Sequence, residues 1–295
     1  MDEYIISDLI MENSNISISK FADGSYSEEC RRQCRICRID TSTQASKKTI
    51  EGSDGNFITV YTPLLCYLDD HQVQEISTDI ATELRRIISA SIGSPIDKRK
   101  TFLIIGLGNS AITPDCIGPM TVGKLNVTRH VKLTSPLTFD SMDICSVCAI
   151  SCGVLGQTGV ESAELVKALT AKIQPDAVIV IDALAARAWE RLGATVQISD
   201  AGISPGAGVY NKQTALTKSS LGVPVIAIGV PTVVSAATLV GDALTNAGIT
   251  KKGAILKKLT DSGKNLFVAP KECDLIAESV SDVLSASIEK ALGVI

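Results

Sequence analysis

Two aspartates stand where carboxylate chemistry would place them. Asp115 lies ten residues beyond the apolar run Thr101 to Ile105, and Asp182 closes the run Ala177 to Ile181. If both runs are strands of one sheet, both aspartates fall at strand ends, where open α/β sheets carry their reactive groups. Two carboxylates held close together push their pKa values apart, so one can act as base on a water while the other acts as acid. On spacing alone the structural role is the better account, because Asp at a strand end is also a common cap or turn residue.

The other constellations carry less. Gly106-Leu107-Gly108-Asn109-Ser110-Ala111 opens like a dinucleotide fingerprint, but Asn126 to Val131 offers no acid for a ribose, and Pro114 and Pro119 interrupt the phosphate-binding helix. Cys30, Cys34 and Cys37, and in reverse spacing Cys145, Cys148 and Cys152, could hold three corners of an iron-sulfur cluster. Free thiols are the preferred account: the second trio lies in an apolar strand-to-turn segment, where Cys packs as a small hydrophobe, and the first is open to redox chemistry. Only two histidines exist, His71 and His130, and neither His-Glu-x-x-His nor Gly-x-Ser-x-Gly occurs. A common zinc protease and a nucleophile-elbow hydrolase are both poorly supported.

The elements that must position these residues follow from periodicity. Phe57 to Thr62 alternates as a strand, and Val73, Ile76, Ile80, Leu84, Ile87 and Ile88 have helical spacing. Strands are expected at 101–105, 177–181, 195–198 and 223–228. Helices are expected at 161–173 and 272–292, with a Gly-rich turn at 153–159. Ser219 to Gly241 contains no charged residue. Pro224, Gly229 and Pro231 make it a buried strand and turn followed by an Ala-rich helix from about Val233, not a membrane span. Alternating strands and helices imply a mostly parallel sheet covered on both faces. The first 50 or so residues, with the Cys/Arg-dense run Cys30 to Arg38, read as an edge-strand subdomain or an arm. The 295 residues, 45% hydrophobic and 20% charged with net charge -4, fit one sizeable core and argue against attachment to nucleic acid by charge. Nine Cys and no secretory leader point to the thiols of a reducing compartment.

Several blocks also resemble the germination (spore) protease family of endospore-forming bacteria. They are Gly106-Leu107-Gly108-Asn109, Thr113-Pro114-Asp115-x-x-Gly118-Pro119, Val127-Thr128-Arg129-His130, Gln157-Thr158-Gly159-x-Glu161 and Ile181-Asp182-Ala183-Leu184-Ala185-x-Arg187. Gln197-Ile198-Ser199-Asp200, Pro205-Gly206-x-Gly208, Pro224 to Val234 and Pro270-Lys271-Glu272 continue the match in order. The resemblance implies an α/β fold, mostly parallel and with helices on both faces, similar to the hydrogenase maturation proteases and preceded by an N-terminal appendage. It implies an endopeptidase of atypical aspartic type that begins degradation of small acid-soluble spore proteins at germination, with Asp115 and Asp182 as its essential aspartates. Gly106, Gly108, Asn109, Gly206 and Gly208 are the loop candidates for oxyanion or substrate contact, with tight turns as the alternative for the glycines.

The family is made as zymogens that cut themselves, and Ile6-Ser7-Asp8-Leu9-Ile10-Met11-Glu12 resembles the processing block. Cleavage is expected between Asp8 and Leu9, although Ile6-Ser7 replaces the usual Arg-Thr. The resulting division is a propeptide at 1–8, an appendage at 9–55 and a peptidase domain at 56–295. No cofactor, metal, direct nucleic-acid contact or membrane is expected. A homotetramer in the cytoplasm of forespore and spore core is. The alternatives are a metal-dependent processing protease like the hydrogenase maturation enzymes, or a non-catalytic homologue binding a nucleotide or an iron-sulfur cluster.

Overall fold

The structure is a computed structural model that describes residues 7–12, 25–41, 55–204, 214–249, 253, 256, 258 and 266–295. Its strands are β1 (Tyr26–Arg31), β2 (Cys34–Asp40), β3 (Asn56–Tyr61), β4 (Thr101–Leu107), β5 (Ser146–Gly153), β6 (Ala177–Ala186), β7 (Thr195–Ser199), β8 (Val225–Ser235) and β9 (Phe267–Val268). They form one sheet in the order β1-β2-β3-β7-β8-β6-β4-β5, with β9 on β8. The centre, β5-β4-β6-β8, is parallel, as the alternation of strand and helix requires. Antiparallel β7, β3, β2 and β1 extend it. The segment expected as an appendage thus supplies the two strands at one end of the same sheet, β1 at its edge and β2 between β1 and β3.

The longer helices are α1 (Asp70–Ile92), α2 (Ile117–Lys124), α3 (Ser162–Ile173), α4 (Ala236–Asn246) and α5 (Cys273–Leu292). Helix α1 begins at a reciprocal cap: Gln72 N–H donates to the Asp69 carboxylate at 2.8 Å, and Asp69 N–H to the Gln72 side chain at 3.2 Å. It ends at Gly93, whose φ of 70° suits a residue without Cβ. Side chains alternate across the strands. One face, including Ile58, Ile104, Ile179 and Ile228, packs on α1, α5 and Ile117 of α2. The other, including Leu103, Ile105, Val178 and Val180, packs on Ala163 and Val166 of α3. Each such aliphatic side chain contributes about 1.5–3 kcal/mol on full burial.

The β1-β2 hairpin is held to α1 by charge as well as apolar contact. Glu83, its side chain 1% exposed, accepts from Arg38 at 2.6 and 2.9 Å and from Arg31 at 3.1 Å. This accounts for Arg31 and Arg38 of the Cys/Arg-dense run, and Arg32 pairs with Asp79 and Glu75 of the same helix. Cys34 packs on the α1 face, while Cys37 sits three residues on, on the opposite face. Cys145 and Cys152 are likewise divided between the two faces. Among the described residues no three His, Cys, Asp or Glu side chains gather as a metal site would require. Burial pushes the Cys145 and Cys152 thiols up to about 11, which makes them poor nucleophiles.

Strand β8 runs through Pro231 to Ser235, so the Ala-rich helix begins at Ala236, a little later than periodicity suggests. Among the described residues no helix is long and apolar enough to cross a membrane.

Candidate active site

The site is built where β4 stops and β6 continues. The β4–β6 ladder ends at Gly106–Ile181, whereas β8 accompanies β6 to Ala186. Asp182 is therefore inside a strand, five residues longer than its apolar run, at the first position beyond the end of its neighbour. The free β6 edge carries polar backbone: Ala183 N–H donates to the Asp182 carboxylate at 2.9 Å.

Asp115 arrives from the adjacent loop. It ends a single 3-10 turn, Thr113–Asp115, that leads through Cys116 into α2. Its carboxylate accepts the Asn109 N–H at 2.8 Å, and its backbone carbonyl accepts the same N–H at 3.1 Å. Three glycines permit this closeness. Gly108 has φ 108°, and a Cβ there would lie 2.1 Å from the Asp115 carbonyl oxygen. A Cβ on Gly106 would meet the Gly118 carbonyl at 2.4 Å, and one on Gly118 would meet the carbonyls of Leu107 at 2.3 Å and Ile181 at 2.7 Å. Gly106 and Gly108 thus serve close packing of the Asp115 loop, and the Asn109 N–H is already committed to Asp115. The Asn109 side chain accepts from Gln157 at 2.7 Å and from Ala111 N–H at 2.9 Å. Gly206 and Gly208 lie outside the described residues.

Electrostatics link the two aspartates. Asp182, 7% exposed, is raised well above the usual carboxylate range by burial, then by the charges of Asp115 and Asp8, against the Ala183 hydrogen bond. Burial also raises Asp115, opposed by the Asn109 N–H. Such a pair retains a proton to higher pH and keeps one acid beside one base.

A third carboxylate belongs to the N-terminal segment. Asp8 N–H donates to the Ala185 carbonyl at 2.9 Å, and Ala185 N–H donates to the Asp8 carboxylate at 2.8 Å. The segment thus occupies the free edge of β6, as an added strand would. It then crosses the sheet face. Leu9, 2% exposed, packs with Leu184, Ala186, Leu192 and Val234. Ile10 packs with Ile39 of β2 and Phe57 of β3. Gln197 of β7 holds the backbone between them: its side-chain N–H donates to the Asp8 carbonyl at 3.2 Å, and its carbonyl accepts the Ile10 N–H at 2.7 Å. Glu12 closes the segment. Its carboxylate accepts the N–H groups of Arg187 at 2.6 Å and Ala188 at 3.0 Å and the Ser7 hydroxyl, and it pairs with Arg191 at 2.8 Å.

The chain thus brings together Asp8, Leu9, Asp115 and Asp182 from the residues singled out in sequence. Gln197, Arg191 and Glu12 were not singled out for these contacts. The available signal was Gln197 itself, a long polar side chain alternating with buried Val196 and Ile198.

The sequence model of one family, described as germination protease, matches residues 7–248. A germination protease of Clostridium perfringens strain 13 is 39% identical over 312 residues, covering 97% of this chain and 94% of that protein. One from Caldanaerobacter subterraneus subsp. tengcongensis is 37% identical and covers 98% and 94%. One from Geobacillus sp. strain WCH70 is 33% identical and covers 85% and 80%. Among solved structures, the [NiFe] hydrogenase maturation protease HycI from Thermococcus kodakarensis KOD1 overlaps 70% of this chain and 99% of its own, at 17% identity and a TM-score of 0.36.

Proposed function

The chain belongs to the germination protease family, and on that premise we propose that it is an aspartic-type endopeptidase that begins the degradation of small acid-soluble spore proteins. It is made as a zymogen, with residues 1–8 as propeptide, and cuts itself between Asp8 and Leu9. The observation that carries this reading is the seat of that bond: Asp8 rests on the free edge of β6, three residues past Asp182, and its charge is felt at Asp182.

In the mechanism Asp115 is the ionised partner, because the Asn109 N–H favours its carboxylate, and the more deeply buried Asp182 holds the proton. Asp115 takes a proton from water as the water oxygen bonds to the carbonyl carbon. The π pair moves onto the carbonyl oxygen, toward which Asp182 donates. When the C–N bond breaks, its electron pair leaves on the Leu9 nitrogen, which receives the proton the pair of aspartates took from water. The products are a carboxyl-terminal Asp8 and an amino-terminal Leu9, and the dyad returns to its starting state. The glycines of the Asp115 loop act by letting the two carboxylates approach. Assembly as a homotetramer in the forespore and spore core belongs to the same proposal.

Intact-mass measurement of the full chain at mildly acidic pH is expected to record loss of the first eight residues. The cut protein is then expected to digest a small acid-soluble spore protein, with a rate unaffected by chelators. Asp115→Asn should lower both rates by about 10²–10⁴-fold. A fully active variant, or loss of a different number of residues, would overturn the assignment.

A further inference from the structure

We infer that Gln197 is a catalytic residue: its side-chain N–H is a donor to the oxygen of the scissile carbonyl. The inference rests on the proposed processing bond and assigns a second donor, beside Asp182, to the oxygen that gains charge.

The geometry begins in the sheet register. Asp182 is the cross-strand partner of Gly229 on β8, and Gly229 is the partner of Gln197 on β7. Cross-strand partners project from the same face. Asp182 and Gln197 therefore stand on one face on either side of a strand position without a side chain, about 9–10 Å apart at the backbone. That distance admits an extended peptide between them. The chain's own residues 8–10 occupy this face, and the Asp8–Leu9 carbonyl oxygen is the group that Gln197 reaches, at 3.2 Å.

The orientation of the amide is set by its partners. Ile10 N–H can only donate, so the Gln197 oxygen must face it, at 2.7 Å. The nitrogen then necessarily faces the Asp8 carbonyl, which can only accept. One side chain thereby grips the backbone on both sides of Leu9 and aims a donor at the oxygen that gains charge when water adds. A neutral donor at this position adds no charge to a site that already holds three carboxylates. Its hydrogen bond strengthens as the oxygen becomes anionic, which is the condition for lowering the barrier. The committed Asn109 N–H cannot serve this purpose, since it is bound to Asp115. No covalent change occurs at Gln197.

The test uses the full chain with Gln197→Ala and Gln197→Glu, read two ways. The first is the single-turnover rate of self-cutting by intact mass. The second is kcat and KM for a synthetic peptide copying residues 1–16. Gln197→Ala is expected to lose about 10²–10³-fold in rate, with a Tm lowered by no more than the lost Ile10 hydrogen bond accounts for. Gln197→Glu keeps an acceptor for the Ile10 N–H but offers no donor when ionised. It should show the same loss in kcat at neutral pH with KM close to that of the parent, and should recover rate as the pH falls and the new carboxyl protonates.

Gln197→Ala cutting within threefold of the parent would overturn the inference while leaving the aspartate dyad in place. Loss in Gln197→Ala alongside a fully active Asp115→Asn would overturn the dyad and retain Gln197 as the donor. Cutting at a bond other than Asp8–Leu9, or a parent that cuts neither itself nor the peptide, would remove the inference together with its premise.

Discussion

Asp182 and Glu83 are both nearly inaccessible carboxylates, and the chain treats them in opposite ways. Burial pushes Glu83 up, but hydrogen bonds from Arg38 and the charges of Arg38, Arg86 and Arg31 outweigh it and hold the group below its ordinary value. Asp182 has the Ala183 N–H and, among the described residues, no pairing cation, and the neighbouring Asp115 and Asp8 push it further up. A raised pKa means that the folded chain binds this proton more tightly than the unfolded chain. Folding is therefore unpenalised below the ordinary value of 3.8 and loses stability as pH rises from there through the raised value. Asp182→Asn removes the charge but keeps an acceptor for Ala183 N–H. Its Tm should exceed that of the parent by a few degrees at neutral pH, and the gap should close below about pH 4. Peptidase activity should fall by about 10²–10⁴-fold. Calorimetric scans across pH, beside a cleavage assay, measure both, and a variant no more stable than the parent at neutral pH would contradict the burial argument.

At the scale of elements, the site depends on how closely α2 approaches β4 and β6. Gly118 touches two strand carbonyls, and both are backbone atoms that cannot rotate away. Gly118→Ala should force α2 outward and carry Asp115 with it, costing about 1–3 kcal/mol and more activity than that loss of stability accounts for. Denaturant unfolding and a cleavage assay on the residual folded protein separate the two effects. The periodicity of the sequence was sufficient for α1, whose apolar spacing and Asp69–Gln72 cap are local. It was sufficient also for the cores of β4, β6 and β7. It was not sufficient for the last five residues of β6. Asp182-Ala183-Leu184-Ala185-Ala186 has no alternation, and its extended form is maintained by β8 alongside it, through a register shift at Leu184/Ala185. Ala and Leu on their own favour helix, so the extended form of this stretch is a tertiary override of local preference by the pairing with β8.

For the whole molecule, the N-terminal segment lies along the β6 edge and across the sheet face, bound at both ends, by Asp8 to Ala185 and by Glu12 to Arg187, Ala188 and Arg191. Apolar burial of Leu9 contributes about 1.5–3 kcal/mol, and the Glu12 carboxylate, its side chain 4% exposed, adds charge-assisted bonds. Glu12→Ala should loosen the segment without unfolding the domain. Amide exchange at Asp8 and Ile10 is expected to accelerate by about 10- to 150-fold, corresponding to about 1.5–3 kcal/mol, while amides of β4 and β6 keep their protection. Equal acceleration in the core strands would mean that the segment is an integral part of the fold.

The amino-acid order alone determined the α/β class and the length and amphipathic faces of the main helices, and it singled out Asp115 and Asp182 through blocks that resemble a family. Each of these is encoded over short distances, by alternation, by 3.6-residue spacing or by a contiguous motif. Tertiary structure decided the rest. It separated the Cys trios, because a strand turns successive side chains to opposite faces. It joined the expected appendage to the main sheet, and it brought Asp8 to Ala185 and Gln197, 177 and 189 residues away. Contacts at such separations have no local signature: they exist only once the sheet has closed and its unpaired edge is available to another segment of the chain.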